Sequence, residues 1–382
     1  MSNYQTVIPM ANEIIKKYGL CDYCMGRLFS KQLGLSSNRL LGKKLNKSQH
    51  SPSKCYICKN LFDNLKHFLK LMAESSSSYS YSSFSVGAMI QPSIVDRDDQ
   101  IRSRYKLRGI DSIKTDITKE LGRSFSKKTQ KLVDHLDPEI TFTLNLKDEL
   151  CQLRSKSITF SGRYVKTLRG LPQKQKSCGN CFGKGCRTCN FHGISEFDSV
   201  EGLISKFIFA KIGGTLAKFT WIGGEDKSSL VLGTGRPFFV KIQNPNKRKL
   251  LFSSVTLESL KIDRLNLVDE SPKKPVRFNS SFSVKVSTES EINKETLKKL
   301  KNISNHFVVI YDAFGKRSEK KIFDVKYRKN SKTTFTLMMK AEGGLPIKKF
   351  VSDADDVVPT VSKILNARCT CQELDFSDIE VQ

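Results

Sequence analysis

Residues 221–238 read Trp221-Ile-Gly-Gly-Glu-Asp-Lys-Ser-Ser-Leu-Val-Leu-Gly-Thr-Gly-Arg-Pro-Phe238. Two adjacent carboxylates, Glu225 and Asp226, lie on a glycine-bearing loop between β-prone runs, and Arg236 returns from the next turn. The flanking residues predict strands over 215–222, 230–232 and 238–242, with Gly233 to Pro237 as a turn between the last two. Gly233-Thr-Gly235-Arg236 is rich in glycine but lacks the third glycine and the following helix of a dinucleotide fingerprint. The chain has no Gly-x-Ser-x-Gly elbow, no Walker phosphate loop and no His-Glu-x-x-His motif, so the commoner hydrolase and nucleotide-dependent chemistries have no anchor. A carboxylate pair on a loop is by itself an ordinary solvated feature, and the surrounding sequence has to decide its meaning.

Upstream of the loop, Asp198 with Glu201 reads as a capping box opening a helix through about Lys211, which Gly213 and Gly214 end. Before it stand Cys178, Cys181, Cys186 and Cys189, with Gly179, Gly183 and Gly185 allowing tight turns. A second set, Cys21, Cys24, Cys55 and Cys58, lies near the N-terminus. Eight of the eleven cysteines therefore fall in Cys-x-x-Cys pairs. Two such knuckles supply four soft ligands for one tetrahedral zinc, and a site filled by four thiolates leaves no open position for water. Both centres are read as structural, against the alternatives of unrelated thiol pairs or a redox-exposed loop. His192 is a spare ligand candidate or an ordinary surface histidine, and Cys151, Cys369 and Cys371 are read as packing or solvent-facing residues.

Between the cysteine sets, Leu61, Phe62, Leu65, Phe68, Leu69 and Met72 recur at helical spacing. Ser75 to Ser85 reads as a loop, Phe84 to Ile90 as a strand, and Ile110, Ile113, Ile117 and Leu121 as one face of a helix ending near Gly122. Ile140, Phe142, Leu144 and Leu146 alternate as in a half-buried strand. The class is α+β and multidomain. The module closes on Arg154, Lys156, Arg163, Lys166, Arg169, Lys174 and Lys176, interleaved with Phe160 and Tyr164. That mixture suits an RNA-contact surface, with cations for phosphates and aromatics for bases, or the solvated basic face of a strand. Pro272 to Pro275 marks a break before further strands and a helix around Lys294 to Leu300.

Bulk properties agree with a polyanionic partner. Lys plus Arg is 65 against 38 for Asp plus Glu, a net charge of +27 over 382 residues. No stretch approaches the ~18 uninterrupted apolar residues of a membrane span, and Met1 to Leu20 lacks a signal-peptide apolar region, so a soluble cytoplasmic protein without a membrane partner is expected. Protein partners are not legible.

These stretches together resemble the archaeal-type tRNA pseudouridine synthases, the Pus-ten family. Its members carry a loop of the form Gly-Arg-Glu-Asp followed by Leu-Gly-x-Gly-Arg-Pro-Phe, and the loop aspartate falls on Asp226. Leu20-Cys-Asp-Tyr-Cys-Met-Gly-Arg27 is similar to the family's N-terminal knuckle, and residues 162–173 to the end of its THUMP-type RNA-binding module. Cys186-x-x-Cys189-Asn-Phe-x-Gly193, residues 198–204 and Ala341-Glu-Gly-Gly-Leu345 with Ile347-Lys348 follow in the family's order. The resemblance implies a zinc-knuckle segment over 1–60, a THUMP-type module over 61–172 and a pseudouridine synthase domain of mixed α/β type with an antiparallel sheet over 173–382. It implies isomerisation of one or both adjacent uridines of the tRNA T loop, with Asp226 as nucleophile and no catalytic cofactor.

In this reading Arg236 is the candidate cation holding the carboxylate ionised, or a phosphate contact. Arg163, Tyr164, Lys166 and Arg169 contact RNA, and Phe282 is a substrate-binding aromatic or a core residue. Three departures stand out. Gly224 replaces the family's arginine before Glu-Asp, and the polar and basic residues after the aspartate give way through Ser228, Ser229 and Leu230. Pro346 replaces a tyrosine expected beside the uracil, whose stacking is worth about 1–3 kcal/mol. Asp353 to Val358 sets an acidic patch where a basic group is expected. These departures favour a rival reading, a tRNA-binding protein with feeble or lost chemistry. A zinc-ribbon chaperone built on Cys178 to Cys189 is a third.

Overall fold

The computed structural model describes residues 3–34, 37–46, 53–250, 254–257 and 259–382. The chain forms two units, Met1–Lys156 and Ser157–Gln382.

In the first unit, helices α1 (Asn3–Tyr18), α2 (Asp22–Leu33), α3 (Asn38–Leu45) and α4 (Leu65–Ser75) precede β1 (Ser83–Met89), α5 (Pro92–Arg104), α6 (Ile113–Thr129), β2 (Leu132–Val133), β3 (Ile140–Asn145) and β4 (Leu150–Ser155). The strands form a sheet in the order β2-β1-β3-β4, with β1 parallel to β2 and β3, and β4 antiparallel to β3. The apolar spacing read in the sequence becomes one continuous core, in which Ile14, Phe29, Phe68, Phe84, Phe125 and Phe142 are buried together. The cysteine-bearing N-terminal helices share this core with the α/β module. Helices α2 and α3 cross with almost no space: a Cβ on Gly26 would lie 1.7 Å from Asn38 O, and one on Gly42 1.8 Å from Asp22 O.

Helix α6 runs past Gly122, which the sequence reading takes as its end. Gly122 faces Val133, Phe125 extends the buried face, and the helix stops only where Gln130 turns left-handed. The helix opening the second unit is capped by Ser199, whose side chain accepts from Gly202 N, and not by Asp198.

The second unit begins at β5 (Ile158–Lys166), a strand the sequence reading assigns to the module ending at 172. It continues through α7 (Val200–Ile212), β6 (Ala217–Trp221), β7 (Leu230–Ile242), β8 (Ser254–Thr256), β9 (Leu260–Val268) and β10 (Phe278–Thr288). After α8 (Lys294–Lys298) come β11 (Phe307–Tyr311), β12 (Arg317–Lys329), β13 (Thr334–Glu342), α9 (Ile347–Val351), β14 (Val357–Val358), α10 (Val361–Leu365) and β15 (Cys369–Val381). Eleven strands among the described residues make one sheet in the order β14-β11-β12-β13-β10-β15-β7-β5-β9-β8, with β6 also on β7. Its pairings are antiparallel except β15 with β7.

Two apolar cores lie along this sheet. One packs Val200, Ile204 and Ile208 of α7 on Phe160, Phe238 and Val240, and the other gathers Val284, Leu337, Phe350 and Val361. The stretch read as two short strands joined by a turn is a single bent strand, β7. Gly233 and Gly235 have φ +58° and +74°, values that favour glycine, and the bend lets β7 leave β15 and take up β5 and β6.

Asp116 in α6 is buried in the first unit, and its Oδ2 has no hydrogen-bond partner. Burial pushes its carboxyl up to about 6 from 3.8, against the opposing pull of Arg27 and Asn38. Because the folded value is raised, the protonated acid is the form folding favours. Its stabilisation is complete below about pH 4 and lost as the pH rises through about 6. Asp116→Asn, which carries no charge at either pH, is expected to exceed wild type in urea stability by on the order of 2–3 kcal/mol at pH 7.5 and to match it near pH 4. A gap independent of pH would contradict this.

Candidate active site and metal centres

The loop of residues 222–229 joins β6 to β7. Its two carboxylates point in opposite directions. The Glu225 side chain is fully buried, with Arg236 Nε 2.6 Å and Lys166 Nζ 3.9 Å from its oxygens. The arginine contact is an ion pair by distance, without the alignment of a hydrogen bond. Tyr164 donates its hydroxyl to Glu225 at 2.6 Å, and Gln173 Nε2 donates at 3.2 Å. Burial and the neighbouring Glu225 charge raise the Tyr164 phenol well above its ordinary value, so it stays a donor.

The loop backbone is held by the same neighbourhood. Lys166 donates to Asp226 O at 3.1 Å and Leu171 O at 2.9 Å, Gly170 N donates to Lys227 O at 2.7 Å, and Arg169 Nη1 donates to Ser228 O at 2.6 Å. Arg169 is in turn fixed by two 2.7 Å contacts with Asp375 of β15.

Asp226 faces outward with its side chain 51% exposed, and its Oδ2 lies 2.5 Å from Nζ of Lys348 in α9. The hydrogen bond and charge of Asp226 raise the Lys348 ammonium above its ordinary value, so it remains a cation at neutral pH. An exposed pair of this kind contributes only about 0–1 kcal/mol to stability, so its consequence is the orientation of the carboxylate. Asp226, Pro346, Lys348 and Lys349 line a cavity of about 390 Å³. A neighbouring cavity of about 450 Å³ is lined by Arg236, Arg277, Phe278, Lys320 and Glu342. Gly224, Leu345, Ile347 and Phe376 border both. Each volume falls in the range of about 300–1,000 Å³ usual for small-ligand sites.

Several residues take places other than those the sequence suggests. Arg236 is buried against Glu225, with its guanidinium 4.6 Å over the Phe376 ring, and the cation on Asp226 is Lys348. Phe282 is 2% exposed and packs in the core 6.2 Å from Phe376. The β10 aromatic that faces a cavity, the one adjoining that of Asp226, is Phe278, four residues earlier, held so close to the chain that a Cβ on Gly223 or Gly343 would strike its ring.

Tyr164 and Lys166 are fully buried braces, and Arg169 anchors the loop. Arg163 donates to Thr234 O and Gly235 O at 2.7 Å, fixing the bend of β7. Of the residues read as an RNA surface, Phe160, Tyr164 and Lys166 point into the core as alternate residues of β5, whereas Arg163 lies on the opposite face. Pro346 precedes α9 and lines the cleft without an aromatic ring. The Ile347-Lys348 signal was present in the sequence, but only the return of α9 toward the loop shows what its lysine touches.

Both cysteine sets converge. The Sγ atoms of Cys21, Cys24, Cys55 and Cys58 lie within 4.8 Å of one another, as do those of Cys178, Cys181, Cys186 and Cys189. Backbone N–H groups are aimed at the sulfurs: Cys21 N at Cys55 (3.4 Å), Gly185 N at Cys181 (3.3 Å), and Cys186 N and Gly193 N at Cys189 (3.3 Å each). Such donors favour thiolate, so each tetrad suits one soft divalent metal. His192 is not part of the second tetrad. It hydrogen-bonds Thr215 O at 2.9 Å and stacks on Phe209 at 4.1 Å.

Comparison with known proteins gives two family matches, to "Pus10, C-terminal" over residues 160–380 and "Pus10 THUMP domain, archaeal" over residues 68–145. The chain is 64% identical to the tRNA pseudouridine synthase Pus10 of Nitrosopumilus maritimus, over the full length of both. It is 34% identical to that of Cenarchaeum symbiosum, covering 96% of this chain and 90% of the other. The corresponding protein of Pyrococcus furiosus is 27% identical, with 98% of each chain covered.

Two outcomes are expected from this geometry. Tyr164→Phe should lower the unfolding free energy by about 1.5–3 kcal/mol, the range for a hydrogen bond to a charged acceptor, and unchanged stability would remove Tyr164 from the brace. Elemental analysis of protein purified without added metal should give two equivalents per chain, falling to one in Cys186→Ser. Wild type with fewer than two would show that one tetrad stays empty.

Proposed function

The chain belongs to the Pus10 family of tRNA pseudouridine synthases, an isomerase family, and on that premise we propose that it converts one or both adjacent T-loop uridines of tRNA to pseudouridine with Asp226 as nucleophile. The observation that carries this assignment is the pairing of an outward carboxylate, Asp226, with Lys348 beside cavities lined by cations and aromatic rings.

Reaching N1 and C1′ of a nucleotide requires turning it out of the stack, and the cleft supplies what a loose base and its phosphates need. Phe278 and Phe376 offer apolar faces, while Arg277, Lys320 and Lys349 offer charge. Asp226 adds to ribose C1′ as the N1–C1′ bond breaks. The uracil turns within the cavity, C5 forms the new bond to C1′ as the carboxylate leaves, and the proton lost from C5 is balanced by one gained at N1. Product and reactant are isomers, so the sequence of steps needs no oxidant or group donor. Lys348 directs the Asp226 carboxylate, and Glu225, Arg236, Lys166 and Tyr164 keep the loop from yielding. Structural zinc is the metal we assign to the tetrads, whose four thiolates leave no position for substrate.

Phe278 answers the absence of a tyrosine at Pro346. Its ring faces the adjoining cavity from β10, and Phe376 borders both cavities, although no aromatic comes from the segment before α9. That favours an active enzyme over a binding protein with lost chemistry.

The test is chemical mapping of pseudouridine in an unmodified tRNA transcript, with affinity measured in parallel. Wild type should form pseudouridine in the T loop, and Asp226→Asn should form none while its Kd stays within about threefold, since the carboxylate contributes little to binding. Lys348→Met should slow the single-turnover rate by on the order of a hundredfold. Tight binding with no product from wild type would overturn the assignment and leave the binding-protein reading.

A further inference from the structure

The second cysteine tetrad carries features that a purely structural knuckle does not need. Phe182 and Phe191 each follow a Cys-x-x-Cys turn, and their rings are 83% and 50% exposed. Both knuckles hold the aromatic in the same way. Phe182 N donates to Cys178 O at 2.9 Å, and Phe191 N donates to Cys186 O at 2.8 Å. Both residues have positive φ, 49° and 62°, a region uncommon for a bulky side chain and more readily filled by glycine or asparagine. An exposed aromatic in that conformation contributes nothing to the core, yet the turn holds it in a defined outward position. The charge within the knuckle is basic: residues 173–195 contain Lys174, Lys176, Lys184 and Arg187, and the nearest following acids are Glu196 and Asp198. All four cations are exposed.

We propose that this knuckle is a second RNA-contact surface, on which Phe182 and Phe191 stack unpaired bases of the tRNA substrate while Lys184, Arg187, Lys174 and Lys176 meet its phosphates. The proposal rests on the tRNA reading above for the identity of the strand. Rings standing apart among cations and glycines match the alternation of base and phosphate along an unpaired strand. A protein partner would be expected to need a continuous apolar face instead. The metal's part is to fix the two turns. The surface also supplies outward-facing cations and rings that β5, with Tyr164 and Lys166 turned into the interior, does not.

The experiment measures Kd and KM for an unmodified tRNA transcript, together with metal content, for wild type, the double variant Phe182→Ser/Phe191→Ser and its counterpart Phe182→Tyr/Phe191→Tyr. Stacking predicts a rise of roughly 5- to 150-fold per ring lost, so the serine pair should raise Kd and KM together by at least about 25-fold with both metal equivalents retained. The tyrosine pair should bind within about twofold of wild type, since stacking survives. Lys184→Ser/Arg187→Ser should flatten the slope of log Kd against log salt by about 1.4, the value for two single-strand phosphate contacts.

A serine pair that keeps its metal and binds like wild type overturns the proposal. If the serine pair loses its metal or its fold, the charge variant decides, and an unchanged salt slope overturns the proposal in that case. Weakened binding by the ring variants, from a wild type that binds tRNA but forms no pseudouridine, would sustain this surface while removing the catalytic assignment.

Discussion

A carboxylate with no access to water needs cations and donors around it, and Glu225 has Arg236, Lys166, Tyr164 and Gln173. Removing one partner from a buried pair typically costs about 3–5 kcal/mol, because the other charge is left uncompensated, whereas replacing the whole group by apolar residues can be neutral. The cluster's value therefore lies in geometry. It ties a loop between two strands to β5, β7 and the segment after β5, and it leaves the next residue, Asp226, nowhere to point but outward. Lys166, the second cation beside Glu225, also donates to the Asp226 carbonyl, so the charge cluster and the loop backbone form a single support.

The elements that meet at this point are distant in sequence. Lys166 ends β5 and Arg169 follows it, Asp226 precedes β7, Lys348 belongs to α9, and Asp375 belongs to β15. What brings the last of these into place is the parallel pairing of β15 with β7, where Asp375 lies opposite Leu230 and accepts from its backbone N at 3.0 Å. The glycine-directed bend in β7 serves the same end. It allows one strand to pair with β15 beside the loop and with β5 and β6 farther on, and Arg163 holds the bend. A site assembled in this way exists only once the sheet has closed around it.

Much of this was legible in the sequence and some was not, for identifiable reasons. The loop with Glu225 and Asp226, the two cysteine tetrads and the helix before β6 rest on local signals, such as spacing, capping and turns, and all three take form where the residues suggest. The partner of Asp226 did not follow from proximity along the chain. Arg236 stands ten residues away but turns inward to Glu225, whereas Lys348 arrives through tertiary structure. Strand β5 alternates cations with aromatics, and alternation alone does not say which face meets solvent, so Tyr164 and Lys166 read as surface groups though both are buried. Phe282 and Phe278 share the register of one strand and differ only in whether the sheet or the cavity lies over them. Gly122 reads as a stop because glycine is a poor helix former, yet the helix runs through it and keeps burying its apolar face as far as Phe125.

In the proposed mechanism Glu225, a residue with no exposed side-chain surface, governs the reaction by fixing the position of its neighbour. Glu225→Gln preserves size and shape while removing the buried charge, so the single-turnover rate of pseudouridine formation by this variant, with tRNA affinity measured on the same preparation, tests that claim directly. The account predicts a rate lowered by on the order of a hundredfold or more, comparable with losing a catalytic electrostatic contact, at near wild-type affinity. A Glu225→Gln enzyme that folds, binds tRNA and turns over at the wild-type rate would contradict it.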